Sequence, residues 1–90
     1  MAHLSDQDAQ ARLATLSGWE IRDGRLRKRY TLDSFASALF FVNRVGALAE
    51  KADHHPDILI EYKHVTLTLT SHDSGGLTAR DFALAAQIDA

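Results

Sequence analysis

The sequence predicts an α+β fold: a four-stranded antiparallel sheet with helices packed on one face, in the order helix, strand, strand, helix, strand, strand, helix. Three observations carry this prediction. Asp23-Gly24 is a strong two-residue hairpin signal between two alternating runs. Val65-Thr66-Leu67-Thr68-Leu69-Thr70 repeats with period two, apolar on one face and threonine on the other. Between the two hairpin regions a long stretch from Phe35 to Ala52 keeps apolar residues at helical spacing. Strand pairs separated by one long helix close into an antiparallel sheet covered on one side.

Ser5 caps the first helix, with Asp8 three residues on and Ala9, Leu13 and Leu16 as its buried stripe; Gly18 is the expected stop. In the first hairpin Trp19 and Ile21 alternate with charges. On its return strand Leu26, Lys28 and Tyr30 share one face and Arg25, Arg27 and Arg29 the other. Asp33 or Ser34 caps the long helix, whose stripe is Phe35, Leu39, Val42, Val45, Ala49 and Ala52, widened by Phe40, Phe41 and Leu48. A helix this apolar calls for cover on more than one side, from another helix or from a partner chain. His54-His55-Pro56 ends it. Ile58 to Tyr62 reads as a third strand and Val65 to Thr70 as the fourth. Ser71 to Gly76 is a loop, and Thr78 opens a last helix with Phe82, Ala85, Ala86 and Ile88 inward.

Length and composition narrow the function classes. Ninety residues make one domain, expected over 1–90, and a core this small favours added burial in an oligomer. Ten Lys+Arg against 12 Asp+Glu leave no basic surplus. The arginine face is therefore read as a solvated strand face, and neither nucleic acid nor an anionic membrane is expected as a partner. The absence of Cys excludes disulfides, thiolate metal sites and a cysteine nucleophile. No run approaches the roughly 20 apolar residues of a membrane span. The start Met1-Ala2-His3-Leu4-Ser5-Asp6 lacks the pattern of a signal peptide, so a cytoplasmic location is expected.

Four of the five histidines fall between 54 and 72. Imidazole gives and takes protons near neutral pH. His54 and His55 are adjacent in an extended stretch and should point in opposite directions, able to touch two parts of one planar ligand but not to grip one atom. His72 opens the loop after the fourth strand; if strands three and four pair, His55 and His72 share one end of the sheet. Glu50 lies one helical turn before His54, as a surface acid or as a partner that orients it. Asp81 stands three residues after Thr78, where a capping-box acid belongs, unless that helix start faces the site. His3 and His64 read as surface residues. A metal site of His54, His55, His64 and His72 is disfavoured by the adjacency of the first two and by the lack of a His-x3-His pair.

Taken together, Glu50-x3-His54-His55-Pro56-x5-Tyr62-x9-His72-x8-Asp81 fixes seven residues across 32 positions. This run resembles the signature of the pterin-4a-carbinolamine dehydratases, also called 4a-hydroxytetrahydrobiopterin dehydratases. Gly18-Trp19, the phenylalanine-rich helix and the Leu-Thr-Leu-Thr strand are similar to the family too, so the likeness covers essentially the whole chain. It implies the same fold and an activity: dehydration of a 4a-hydroxytetrahydropterin to a quinonoid dihydropterin in tetrahydrobiopterin recycling, with no metal and no cofactor. It also implies roles. His54, His55 and His72 would be catalytic, with His54 and His72 moving protons and His55 positioning the substrate. Pro56, Ser71, Asp73 and Ser74 would contact the pterin, while Glu50 and Asp81 support the histidines. Some members carry an aromatic residue where this chain has Ile58.

The resemblance leaves other functions open. Some members of the family also act as dimerisation cofactors for a transcription factor, binding protein through the long helix. Another pterin, such as a molybdopterin-type compound, would present the same ring. A homodimer or homotetramer is expected, and no residue chooses between them.

Overall fold

The computed structural model describes residues 2–90. Residue 1, part of the expected domain over 1–90, lies outside the described residues. Helix α1 (Asp6–Leu13) starts at Ser5, whose hydroxyl accepts the Asp8 backbone N–H at 3.1 Å. It ends at Leu13, well before Gly18, and leaves through a turn in which Leu16 N–H donates to the Leu13 carbonyl. Gly18 has another use. Its φ is +80°, and a Cβ there would lie 3.0 Å from Cε of Lys28, which crosses over it.

Strands β1 (Glu20–Arg22) and β2 (Arg25–Thr31) form the predicted hairpin. Asp23 and Gly24 both have positive φ, 53° and 74°, as a type I′ turn requires. Helix α2 (Phe35–Ala52) is capped by Ser34, whose hydroxyl accepts the Ser37 N–H at 3.1 Å. It buries Ala38, Val45 and Ala49, with Phe41, Val42 and Leu48 packed at the margins. Phe35, Leu39 and Ala52, read from the sequence as part of the stripe, are exposed, as is Phe40. The sheet and the last helix cover only the Ala38–Val45–Ala49 line.

Strands β3 (Asp57–Glu61) and β4 (His64–Leu69) pair antiparallel around Tyr62-Lys63. Tyr62 adopts φ +55°, which ends β3 at Glu61, one residue earlier than expected. β4 ends at Leu69, so His72 lies beyond the strand. The sheet order is β1-β2-β4-β3. Its inner face places Leu26, Val65, Leu67 and Leu69, all fully buried, in one core cluster with α2 and with Phe82, Leu84, Ala85 and Ile88 of α3 (Ala79–Asp89). Each of the leucine, valine, isoleucine and phenylalanine side chains contributes about 1.5–3 kcal/mol by leaving water. Ala86, expected inward, is exposed; Leu84 is buried instead, because the stripe runs through 81, 84, 85 and 88. The predicted α+β order and antiparallel sheet are those observed. No described helix is long and apolar enough to cross a membrane.

The far end of α3 is tied down by polar contacts. Asp89 accepts from Trp19 Nε1–H (2.7 Å), Lys28 Nζ (3.0 Å) and Tyr30 O–H (2.6 Å). Arg44 of α2 donates to the Ile88 carbonyl at 2.6 Å, a cation at a helix C-terminus. Burial and the Asp89 contact push the Tyr30 hydroxyl above its usual range, against the opposing effect of Arg44. Partial burial would raise Asp89, but the hydrogen bonds from Tyr30, Lys28 and Trp19 outweigh it and hold the carboxyl below its ordinary 3.8. A depressed carboxyl stabilises the fold above its unfolded value and loses that contribution as pH falls through its folded value. Asp89→Asn should therefore lower stability at neutral pH by on the order of 1 kcal/mol. In thermal melts from pH 6 to pH 2.5 the gap to wild type should close below about pH 4. A gap that persists at the acid end would show that the ionised carboxylate is not the stabilising form.

Candidate active site

Register gathers the site. Leu26 pairs with Leu69 and Asp57 with Thr68, so the β1–β2 turn, the His55-Pro56 entry to β3 and the Thr70-Ser71 exit from β4 lie at one end of the sheet. The start of α3 joins them through side chains.

The chain turns sharply after α2. Asp53 is left-handed at φ 50°, ψ 45°, a conformation that suits glycine better than a residue with Cβ. Asp53 N–H donates to the Glu50 carbonyl and His54 N–H to the Ala49 carbonyl, the paired bonds of a Schellman motif. His54 therefore points inward with 7% of its surface exposed, while His55 is exposed. The two rings diverge as predicted for adjacent extended residues.

His54 Nε2 lies 2.5 Å from Oδ1 of Asp81, which is fully buried. The other carboxylate oxygen, Oδ2, accepts from Ser71 Oγ–H and from the Thr78 backbone N–H, both at 2.9 Å. Ser71 Oγ also lies 2.8 Å from Thr78 Oγ1. Since the Ser71 proton is directed to Asp81, Thr78 O–H donates to Ser71. Thr78 Oγ1 in turn accepts the Arg80 N–H at 3.3 Å. Among the described residues no buried side-chain polar atom lacks a partner. Facing a carboxylate oxygen, Nε2 of His54 carries a proton, so in the neutral ring Nδ1 is the acceptor.

Asp81 thus does two things. It closes the capping box that starts α3 and it holds His54. Of the two readings of Glu50, the partner of His54 is not the one found: its exposed carboxylate meets Nε2 of His55. The left-handed Asp53 turns His54 away from the Glu50 face of the helix and brings the next residue back over it.

His72, Asp73 and Ser74 form a single 3-10 turn after β4. His72 is exposed and lines a hollow of about 290 Å³ with Asp23, Gly24, Arg25, Thr70, Gly75 and Gly76. Pro56 and Ser74 are half-buried and Asp73 is exposed. Ser71, expected at the substrate, is 2% exposed with its hydroxyl committed to Asp81. His64 bonds the Thr31 hydroxyl through Nδ1 at 3.0 Å, and His3 packs against Gly75 and Gly76. A larger cleft of about 420 Å³, bordered by His3, Asp6, Gln10 and Ile21, adjoins the His72 hollow at Gly24, Gly75 and Gly76. Among the described residues no three His, Asp or Glu side chains are grouped to hold a metal ion. Thr78 and Ser71 as carriers of the His54–Asp81 pair escaped the sequence analysis; the available signal was an acid, Asp81, on the buried stripe of α3.

The family model described as Pterin 4 alpha carbinolamine dehydratase matches residues 2–90. A protein of Roseiflexus sp. (strain RS-1) is 54% identical over 86 residues, covering 96% of this chain and 92% of its own. One of Thermomicrobium roseum is 47% identical over 88 residues, covering 98% and 95%. Both bear the name "Putative pterin-4-alpha-carbinolamine dehydratase". Among solved structures, a transcriptional coactivator/pterin dehydratase from Brucella melitensis superposes with TM-score 0.92 at 28% identity, over 97% of this chain and 95% of that one. A pterin dehydratase-like protein identified as a RuBisCO assembly factor in the alpha-carboxysome gives TM-score 0.64 at 28% identity, over 79% and 82%.

Asp81→Ala should cost about 2–4 kcal/mol, because it removes a cap and strands three buried donors. Asp81→Asn, which keeps the shape, should cost less. Chemical denaturation of both variants measures this; an alanine variant as stable as wild type would mean that the network does not hold the fold.

Proposed function

The chain belongs to the pterin-4a-carbinolamine dehydratase family, and on that premise we propose that it removes water from 4a-hydroxytetrahydrobiopterin to give quinonoid dihydrobiopterin, in tetrahydrobiopterin recycling. The observation that carries this reading is the His54–Asp81 pair: a nearly buried imidazole whose proton is held on Nε2 by a fully buried carboxylate. Such a pair presents a base of fixed tautomer and orientation.

The chemistry asks for two proton transfers. An acid protonates the C4a hydroxyl so that the C–O bond breaks and water leaves. A base takes the N5 proton as those electrons form the C4a–N5 double bond. His54, through Nδ1, is the base. His72, exposed on its 3-10 turn at the same end of the sheet, is the acid. Solvent exchange resets both rings after each turnover. His55, oriented by Glu50, positions the pterin together with Pro56, Asp73 and Ser74. Ser71, with Asp81, supports His54.

General acid–base groups contribute about 10²–10⁴-fold each. Stopped-flow absorbance should show wild type accelerating the dehydration, with His54→Ala lower in kcat by about 10²-fold or more. A folded wild-type protein with no acceleration over the spontaneous rate sinks the assignment for this substrate and turns attention to other pterins, including molybdopterin-type compounds.

A protein-binding role through the long helix is the second reading. Phe35, Leu39 and Phe40 are 50%, 40% and 75% exposed on α2, a patch that water disfavours. The occupant we propose is another copy of the chain, giving a homodimer or homotetramer. Light scattering after size exclusion should find an oligomer for wild type and a smaller species for Phe40→Asp. A wild type that is monomeric at working concentrations contradicts self-association.

A further inference from the structure

The paired histidines follow a backbone conformation that their own sequence does not favour. Asp53 carries a Cβ into the left-handed region, where an L residue is disfavoured unless its surroundings hold it there. The Schellman bonds hold it from within the helix. One contact holds it from outside: Arg80 Nη2 donates to the Asp53 carbonyl at 2.7 Å.

That contact is specific in three ways. The Asp53–His54 peptide is bonded at both ends, its C=O by Arg80 and its N–H by the Ala49 carbonyl at 3.1 Å. This fixes the peptide plane, and with it the direction in which His54 leaves the chain. Second, Arg80 and Asp81 are consecutive, as are Asp53 and His54, so one helical turn of α3 grips backbone and ring of the same dipeptide. Third, a cation in the first turn of α3 opposes that helix's dipole, whereas the same cation at the C-terminus of α2 is favoured. The arginine is poorly placed for its own helix and well placed for its neighbour.

We propose that Arg80 is a positioning residue for His54 and His55, setting the Asp53–His54 peptide plane from the first turn of α3. It touches no reacting atom and acts through the backbone. Its effect on turnover rests on the dehydratase reading above; its effect on His54 does not.

The test compares wild type with Arg80→Gln and Arg80→Lys, using amide hydrogen exchange and the His54 ring resonances by NMR alongside dehydration kinetics. Arg80→Gln should exchange the His54 amide about tenfold faster than wild type. It should also shift the His54 ring resonances. Its kcat should fall about tenfold with KM little changed, since misplaced groups lose rate more than binding. Arg80→Lys, which keeps the charge on a shorter reach, should restore part of each; it is also the variant to read if the glutamine form does not fold. Unchanged exchange and ring resonances at His54 in a folded variant would overturn the proposal. If wild type itself does not accelerate dehydration, the functional reading fails, and the NMR comparison still decides the role of Arg80.

Discussion

A fully buried carboxylate is tolerable only when its acceptors are filled, and in this protein Asp81 imposes that condition on three elements at once. His54 comes from the end of α2, Ser71 from the exit of β4 and Thr78 from the N-cap of α3. If any one is out of place, a carboxylate oxygen in the interior loses a donor. Starting the last helix and orienting the histidine are therefore one event. The same economy appears at the other end of α3, where Asp89 collects Trp19, Lys28 and Tyr30 and anchors the helix against the first hairpin. One helix is thus held at both ends by carboxylates that bond outside it, and the candidate site lies at the more deeply buried of the two.

The parts of the fold set by local chemistry were legible in the sequence. Asp23-Gly24 demanded its turn, the threonine alternation its strand and Ser5 its cap, while the long helix had both Asp33 and Ser34 to start it. What was not legible depended on contacts made later. Phe35 and Leu39 keep helical spacing with the buried stripe, but spacing cannot say how wide a strip the sheet and α3 will cover. Ala86 and Leu84 are both plausible inward residues until the position of Asp81 fixes the rotation of α3. The left-handed turns at Asp53 and Tyr62 lack the glycine that would have signalled them.

The same distinction runs through the site. Both histidines and Asp81 stood out by type and spacing, and the sequence offered a capping role and a site role for Asp81 as alternatives. The structure makes them compatible, since one carboxylate oxygen serves the cap and the other the imidazole. Glu50 was the harder case. Four residues of helical spacing favour His54 as its partner, yet the chain is no longer helical beyond Ala52, and the left-handed residue hands Glu50 to His55 instead. Phe35, Leu39 and Phe40 on α2, and Ile58, Leu59 and Ile60 on the edge strand, are apolar side chains that packing within the chain leaves exposed.

In the proposed reaction an imidazole of fixed tautomer, locked by a buried carboxylate, faces the pterin. A crystal structure with tetrahydrobiopterin bound under anaerobic conditions, where N5 carries the proton at issue, tests this most directly. The pterin N5–H should donate to His54 Nδ1 at about 2.6–3.2 Å, with His72 on the side of C4a. A pterin seated elsewhere, with no contact to either imidazole, would contradict it.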